Sequence, residues 1–145
     1  SVGTPMVGEA AARGRQLGQI AAAMRPGARA ALVVGGETTV AVRGRGRGGR
    51  NHELALAAAL TLRGGQHCCA LLAAGTDGID GMTDAAGAIV DPTTCRRIAD
   101  AGLDADQALS HNDSGTALAA AGDAIVTGPT GTNVCDLTLV LASGP

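Results

Sequence analysis

The chain has 145 residues, 46% of them hydrophobic, a formal net charge of −2 and no Phe, Tyr or Trp. That length suits one ordinary domain and is short for two. A slightly acidic chain without aromatic side chains offers neither the basic surface of a general nucleic-acid binder nor a stacking platform for single strands, and no apolar run or signal peptide suggests a membrane. The expectation is a cytoplasmic domain with a small-molecule partner.

Without aromatic residues the core must be assembled from Ala, Val, Leu and Ile, with glycine admitting close backbone approach. Such side chains bury little area each, so the chain alone is expected to be marginally stable, as a domain leaning on a neighbour would be. It begins at Ser1 rather than Met, which reads as a piece of a longer polypeptide. Cys68, Cys69, Cys95 and Cys135 include no C-x-x-C pair. They are expected to be small hydrophobes in a reducing compartment, not zinc ligands.

In chain order, residues 1–7 carry no pattern. From about Gly8 to Met24, the spacing of Ala10, Leu17, Ile20, Ala21 and Met24 gives one apolar helical face, and Pro26-Gly27 ends the helix. Residues 28–34 form an apolar strand. Gly35-Gly36 is expected to turn into a second strand, Thr38 to Val42, because β-branched residues suit a pleated surface. Glu37 stands between the two, either as an exposed turn residue or as a carboxylate facing a ligand.

Next comes an arginine- and glycine-rich loop, with Arg43, Arg45, Arg47 and Arg50 among Gly44, Gly46, Gly48 and Gly49, followed by an almost wholly apolar helix to Leu62. Gly49 or Asn51 can cap that helix, and Glu53 suits its first turn. A glycine-rich loop feeding a helix N-terminus offers N–H groups to an anion, and guanidinium forks match phosphate or carboxylate. Gly44, Gly46 and Gly49 also satisfy the G-x-G-x-x-G dinucleotide spacing, although arginines beside the second glycine would crowd a pyrophosphate. The plainer alternative is an exposed loop kept soluble by its arginines.

The run from His67 to Ala74 reads as a central, parallel strand. It ends in a glycine-rich loop holding Asp77, Asp80 and Asp84, at the carboxyl end of a strand where α/β sheets gather ligands. The spacing is not that of an EF-hand; magnesium held by Asp77 or Asp80 with substrate phosphates is the chemistry considered, against simple turn formation. Three close carboxylates repel one another unless something compensates them.

A short strand follows at residues 86–90. Asp91-Pro92 opens a helix that runs to about Ala101 and stops at Gly102, and further helical turns cover 105–109 and 114–121. His111, Asn112 and Asp113 between them form a polar site cluster, or Asn112 or Asp113 is simply an N-cap. His52 and His67 are expected to meet solvent. After a strand at 124–127, the turn 128–133 presents Thr130, Thr132 and Asn133 as donors or simply as turn formers, and Leu137 to Leu141 is the last strand. The expected architecture is α/β, a layered α/β/α domain with a mixed, largely parallel sheet of about five to seven strands.

Three segments, GGETTVAVRGRGRGGRNHE (35–53), AAGTDGIDGMTDAAGAIVDP (73–92) and TGPTGTNVCD (127–136), together resemble the C-terminal MOFRL domain of the class II glycerate kinase family, some members of which carry the older label hydroxypyruvate reductase. The resemblance covers residues 28–141 and makes residues 1–27 the link from a Rossmann-like N-terminal domain that is absent here. His52 departs from the Gln usual in that family. The resemblance implies phosphorylation of D-glycerate to 2-phosphoglycerate with ATP and Mg2+, in a cleft between the two domains of which this chain supplies one wall. It leaves the isolated chain inactive, and a homodimer is possible.

On that reading, Arg45, Arg47 and Arg50 hold the glycerate carboxylate or nucleotide phosphates. Asp77 or Asp80 holds magnesium or accepts the hydroxyl proton, and Glu37 orients an arginine. Thr38, Gly46, Gly48, Gly49, Asn51, Asn112, Thr130, Thr132 and Asn133 complete the binding set. Phosphoryl transfer needs chiefly this kind of positioning and charge neutralisation. The alternatives are a nicotinamide-dependent reductase and a small-anion-binding module without catalysis. The kinase reading requires Arg45, Arg50, Asp77, Asp80 and Asn133 to converge on one edge of the sheet.

Overall fold

The computed structural model describes residues 3–24, 29–65 and 68–142. In chain order the elements are β1 (Met6–Glu9), α1 (Ala10–Ala23), β2 (Ala30–Thr39), α2 (Arg50–Leu62), β3 (Cys69–Gly75), β4 (Gly87–Val90), α3 (Thr94–Asp100), α4 (Ala105–Ser110), α5 (Ser114–Ala120), β5 (Ala124–Ile125) and β6 (Asp136–Ala142). They form one six-stranded mixed sheet in the order β1-β2-β6-β3-β4-β5. The expected helix end at Pro26-Gly27 and the histidine at 67 lie outside the described residues.

The α/β class and the strand number agree with the sequence, but two features of the expected architecture need correction. Only β1 and β2 pair in parallel; every other neighbour pair is antiparallel. The reason is topological. β6 returns last and inserts between β2 and β3, which therefore run the same way without touching. The described helices, moreover, share one face instead of covering both. Leu71, Ala73, Ala88, Val90 and Val140 on that face join Leu17, Leu54, Leu56, Ile98 and Leu118 in a single core.

Gly35-Gly36 is not a turn. β2 runs straight through it because partners lie on both sides: Gly36 is in register with Met6 of β1 and Asp136 of β6. The segment after Thr39, expected as a strand, is loop. Met6–Glu9, which carried no pattern, becomes an edge strand. The turn at Asp91-Pro92 delays its helix to Thr94, since the Asp91 carboxylate accepts from the Thr93 N–H in a local turn.

Helix α2 is the centre of the domain. From Asn51 to Ala59 every residue is buried, which an aromatic-free sequence permits only by close approach. Gly14 and Gly18 of α1 lie against it one turn apart. A methyl group at Gly14 would run into the Leu54 carbonyl and stand 2.9 Å from the Ala57 Cβ, and one at Gly18 would stand 2.8 Å from the Thr61 Cβ. The buried stripe of α1 is thus Ala10, Ala11, Gly14, Leu17, Gly18 and Ala21, whereas Ile20, expected on the apolar face, is exposed.

Gly14→Ala gains about 1 kcal/mol of helix propensity but overpacks against backbone that cannot rotate aside, at a cost of about 1–3 kcal/mol. We expect a lower urea midpoint for Gly14→Ala and no loss for Gly35→Ala, whose new methyl would meet nothing closer than 3.8 Å. Equal midpoints would remove the close helix contact as a stability determinant.

Candidate functional site

The C-terminal ends of β2 and β3 and the first residue of β6 meet at one rim of the sheet, and α2 starts above it. Arg50, the first residue of α2, reaches down to that rim. Its Nε donates to Asp136 Oδ2 at 2.6 Å and Nη2 to Asp136 Oδ1 at 3.0 Å, while Nη1 lies 3.1 Å from Glu37 Oε1. Asp136 is buried, Glu37 is exposed, and a third of the Arg50 side chain remains accessible. The hydrogen bond to Asp136 raises the Arg50 pKa further, against the effect of partial burial. A fork-to-fork pair of this kind fixes the guanidinium plane.

Asp77 stands beside this pair. A methyl group at Gly75, the last residue of β3, would lie 3.0 Å from Asp77 Oδ1 and 3.6 Å from Asp136 Oδ1. Glycine thus lets the two carboxylates flank one Cα. Asp77 Oδ1 also accepts from the Ile79 N–H, and Asn133 Nδ2 approaches Oδ2 at 3.4 Å. The loops that carry these groups are laced together. Thr76 N–H and hydroxyl both donate to the Cys135 carbonyl, the Val134 N–H donates to the Thr76 hydroxyl, and the Thr130 hydroxyl donates to the Thr76 carbonyl at 2.5 Å. Cys135 takes a left-handed φ of 68°, which turns the chain from this lacing into β6 and sets Asp136 on the rim.

The acidic loop divides, contrary to expectation. Asp77 is at the rim, but Asp80 is buried under the start of α2. Its carboxylate accepts from Asn51 N–H (3.1 Å), Asn51 Nδ2 (3.2 Å) and His52 N–H (2.8 Å), and Oδ2 lies 2.5 Å from His52 Nδ1. The helix N-terminus read as an anion site is filled by the protein's own carboxylate. Burial alone would raise the Asp80 pKa; the hydrogen bonds from the His52 side chain and from the His52 and Asn51 N–H groups outweigh it and hold the carboxyl below its usual value. Asp80 and Asn51 are thus hydrogen-bonded to each other at the start of the helix, and His52 is fully buried rather than solvent-facing.

The arginine-glycine loop is also fixed from within. Asn112, at φ 56°, accepts the Arg43 and Gly44 N–H groups on Oδ1 and donates Nδ2 to Ala41 O and Glu53 Oε2, which uses both ends of its amide. Gly46 N–H donates to His111 O and Arg47 N–H to Asp113 Oδ1. Side chains at Gly46, Gly48 or Gly49 would collide with Asp113, Ser114 and Asp80 respectively. These glycines serve packing, and Asn112 serves as a brace. Glu53, buried beneath it, has its pKa raised by that burial despite the Asn112 hydrogen bond.

A hollow of about 550 Å3 opens beside Arg50, with Glu37, Thr38, Gly48, Gly49 and Met82 on its walls. Arg47 lines a different hollow, with Thr83 and Thr116, and donates to the Met82 carbonyl. Arg45 is exposed on the loop. A third hollow of about 480 Å3 lies at the far end of α2, around Arg63 and Cys95, away from all of these groups. Of the five residues expected to converge, Arg50, Asp77 and Asn133 gather at the rim, where Glu37 joins them; Asp80 borders the hollow beside Arg50 with its carboxylate turned to the start of α2, and Arg45 stays apart on the loop. Thr130 is committed to the loop, and Thr132 is exposed beside it.

Asp136 was not singled out in the sequence. The signal was a lone carboxylate closing a turn-rich stretch directly before an apolar strand. For a divalent cation, Asp77 fits as a single ligand because it is half-exposed and weakly partnered, whereas Asp80 does not. Among the described residues no group of three or more His, Cys, Asp or Glu is placed to hold a metal, so substrate oxygens would have to complete the shell.

The fold and the rim are those of a mixed α/β domain with a clamped arginine and a neighbouring carboxylate at the strand ends. The chain belongs to the MOFRL family, whose pattern matches residues 30–136. It is 54% identical over 112 residues to a D-glycerate 2-kinase of Thermotoga maritima, covering 77% of this chain and 27% of that protein. It is 45% identical to a putative hydroxypyruvate reductase of Agrobacterium vitis, covering 97% of this chain and 33% of the relative. The fold superimposes on the crystal structure of glycerate kinase from Thermotoga maritima with a TM-score of 0.89 at 46% identity, over 96% of this chain and 34% of that one. A Pyrococcus horikoshii protein gives 0.89 at 38% identity, over 98% and 34%. The chain thus spans about a third of the length of these relatives.

Replacing the buried Asp80 carboxylate by an amide, Asp80→Asn, sets an NH2 group against N–H donors and is expected to cost about 3 kcal/mol at pH 7. Because the folded pKa is lowered, Asp80's contribution is fully present above its unfolded pKa of about 3.9 and is lost as pH falls through the folded value. Urea titrations from pH 7 to 3 should show a flatter acid limb for the variant. Parallel limbs would mean that Asp80 is not what stabilises the start of α2.

Proposed function

We propose that this chain forms one wall of the active-site cleft of an ATP-dependent glycerate 2-kinase, which converts D-glycerate to 2-phosphoglycerate in the family-length protein. The observation that carries the reading is the rim itself: Arg50 held by Asp136 and Glu37, with Asp77 alongside. The relatives named D-glycerate 2-kinase and glycerate kinase support the same reaction.

A guanidinium has five N–H donors. Three of those on Arg50 are engaged by Asp136 and Glu37, which leaves two for a glycerate carboxylate or a phosphoryl oxygen. Asp77 accepts the proton of the attacking hydroxyl or takes part in holding Mg2+. The cation, when bound with ATP, neutralises charge on the phosphates. Asn133 keeps the Asp77 carboxylate turned to the rim. Catalysis of this kind is positioning and charge stabilisation, with no covalent step required of the protein.

The nicotinamide reductase reading has less support. A dinucleotide needs its pyrophosphate against Gly44–Gly49 and the start of α2, where Asn112, Asp113 and Asp80 already bind the N–H groups. A family-length protein carrying this domain should form phosphoglycerate from glycerate and ATP and should not oxidise NADH with hydroxypyruvate; the reverse result rejects the kinase. In that protein, Asp77→Asn should lower kcat about 100-fold or more while the far-UV circular dichroism stays unchanged. Undiminished kcat would take Asp77 out of the chemistry.

A further inference from the structure

From Ala31 to Gly35 of β2 and across β6, β3, β4 and β5, the face of the sheet turned away from the helices is apolar; Glu37 and Thr39 follow on that face only at the far end of β2, beside β1. The strand register sets its residues in three rows: Gly35, Leu137, Ala74, Gly87 and Ile125; then Val33, Leu139, Leu72 and Ile89; then Ala31, Leu141 and Ala70. No charged or hydrogen-bonding side chain interrupts them. Val33 is 63% exposed, Ile89 48%, Leu141 44% and Leu137 41%. Leu72 and Leu139, in the middle, are half-buried by their neighbours on the sheet, not by the core on the other side. Among the described residues no element packs over this surface. An antiparallel sheet that faces water on one side alternates apolar and polar residues; β3 and β6 present apolar residues on the open face instead.

Its size bears on what covers it. Four strands about 4.8 Å apart and three rows about 6.8 Å apart give a patch on the order of 300 Å2. Two separate molecules need roughly 800 Å2 from each partner to associate stably, because they lose translational and rotational freedom. A neighbour on the same polypeptide has already lost most of that freedom, and interfaces between domains of one chain begin at about 600 Å2 in total, or 300 Å2 a side. The relatives extend for about three times the length of this chain. We propose that the open face seats the remainder of the family-length polypeptide, which lays an aliphatic surface across the Val33, Leu139, Leu72 and Ile89 row. The first row ends at Gly35, Leu137 and Ala74, beside Asp136 and Gly75, so the seat reaches the rim that carries Arg50. The seat depends on family length and not on the reaction catalysed.

The test places a cysteine at Val33 or at Leu141, with Val126→Cys as a reference, since Val126 is exposed and belongs to none of the three rows. Maleimide labelling is read peptide by peptide by mass spectrometry, so that the native cysteines do not interfere. In the 145-residue chain, all three positions should label at similar rates. In a family-length protein, Val33→Cys and Leu141→Cys should label at least about tenfold more slowly than Val126→Cys, and the ratio should not change over a hundredfold dilution. Equal rates in the family-length protein would overturn the proposal. So would protection that disappears on dilution, which would assign the face to a second copy of the protein.

Discussion

A carboxylate buried where a helix begins is the constraint on which this domain rests. Asp80 belongs to a loop 30 residues away from the Arg50 end of α2, yet it accepts the N–H groups of Asn51 and His52 and touches the His52 ring. The helix it caps is enclosed by other elements along most of its length. Its angle and register therefore cannot drift, and Arg50, its first residue, is delivered to the rim with its side chain already directed at Asp136. Removing the cap would loosen the one element that holds the two sides of the site together. His52 completes the arrangement by closing the carboxylate off from water.

The same economy recurs in the arginine-glycine loop. Such a segment suggests an open, mobile anion cradle. The structure instead presses its glycines against the turn between α4 and α5 and pins its backbone with Asn112 and Asp113. Glycine is required there because neighbouring backbone lies where a Cβ would be. The loop's conformation is thus set by a distant helical turn, and its fixed shape forms a wall of the hollow beside Arg50.

How far the sequence disclosed this is best judged residue by residue. The buried helix 50–62, the strand before the acidic loop and the helix stops at Gly102 and Gly122 were legible because they depend on local periodicity and on left-handed glycine. The gathering of Arg50, Asp77, Asn133 and Glu37 was legible through three long motifs. What escaped was decided by pairing across the chain. Gly35-Gly36 looks like a turn until β1 and β6 claim its backbone. The run in β3 looks like a strand buried by helices on both faces, because its open side is as apolar as its core side. Asp77 and Asp80 look equivalent in sequence, and only a contact across 28 residues sends one to the rim and the other inside. Asp136 gave little sign beforehand, since its role arises from the guanidinium that meets it.

The clamp on Arg50 also has an electrostatic consequence. Glu37, Asp77 and Asp136 place three carboxylates at the rim against a single guanidinium, which leaves two uncompensated negative charges where phosphates are expected to gather. Left to itself, this wall would repel a polyanion. Any tight hold on one must be supplied by a counter-charge from elsewhere, either a divalent ion shared with Asp77 or basic groups on the facing wall. Capture and ion uptake should then be thermodynamically coupled, with neither strong in the absence of the other.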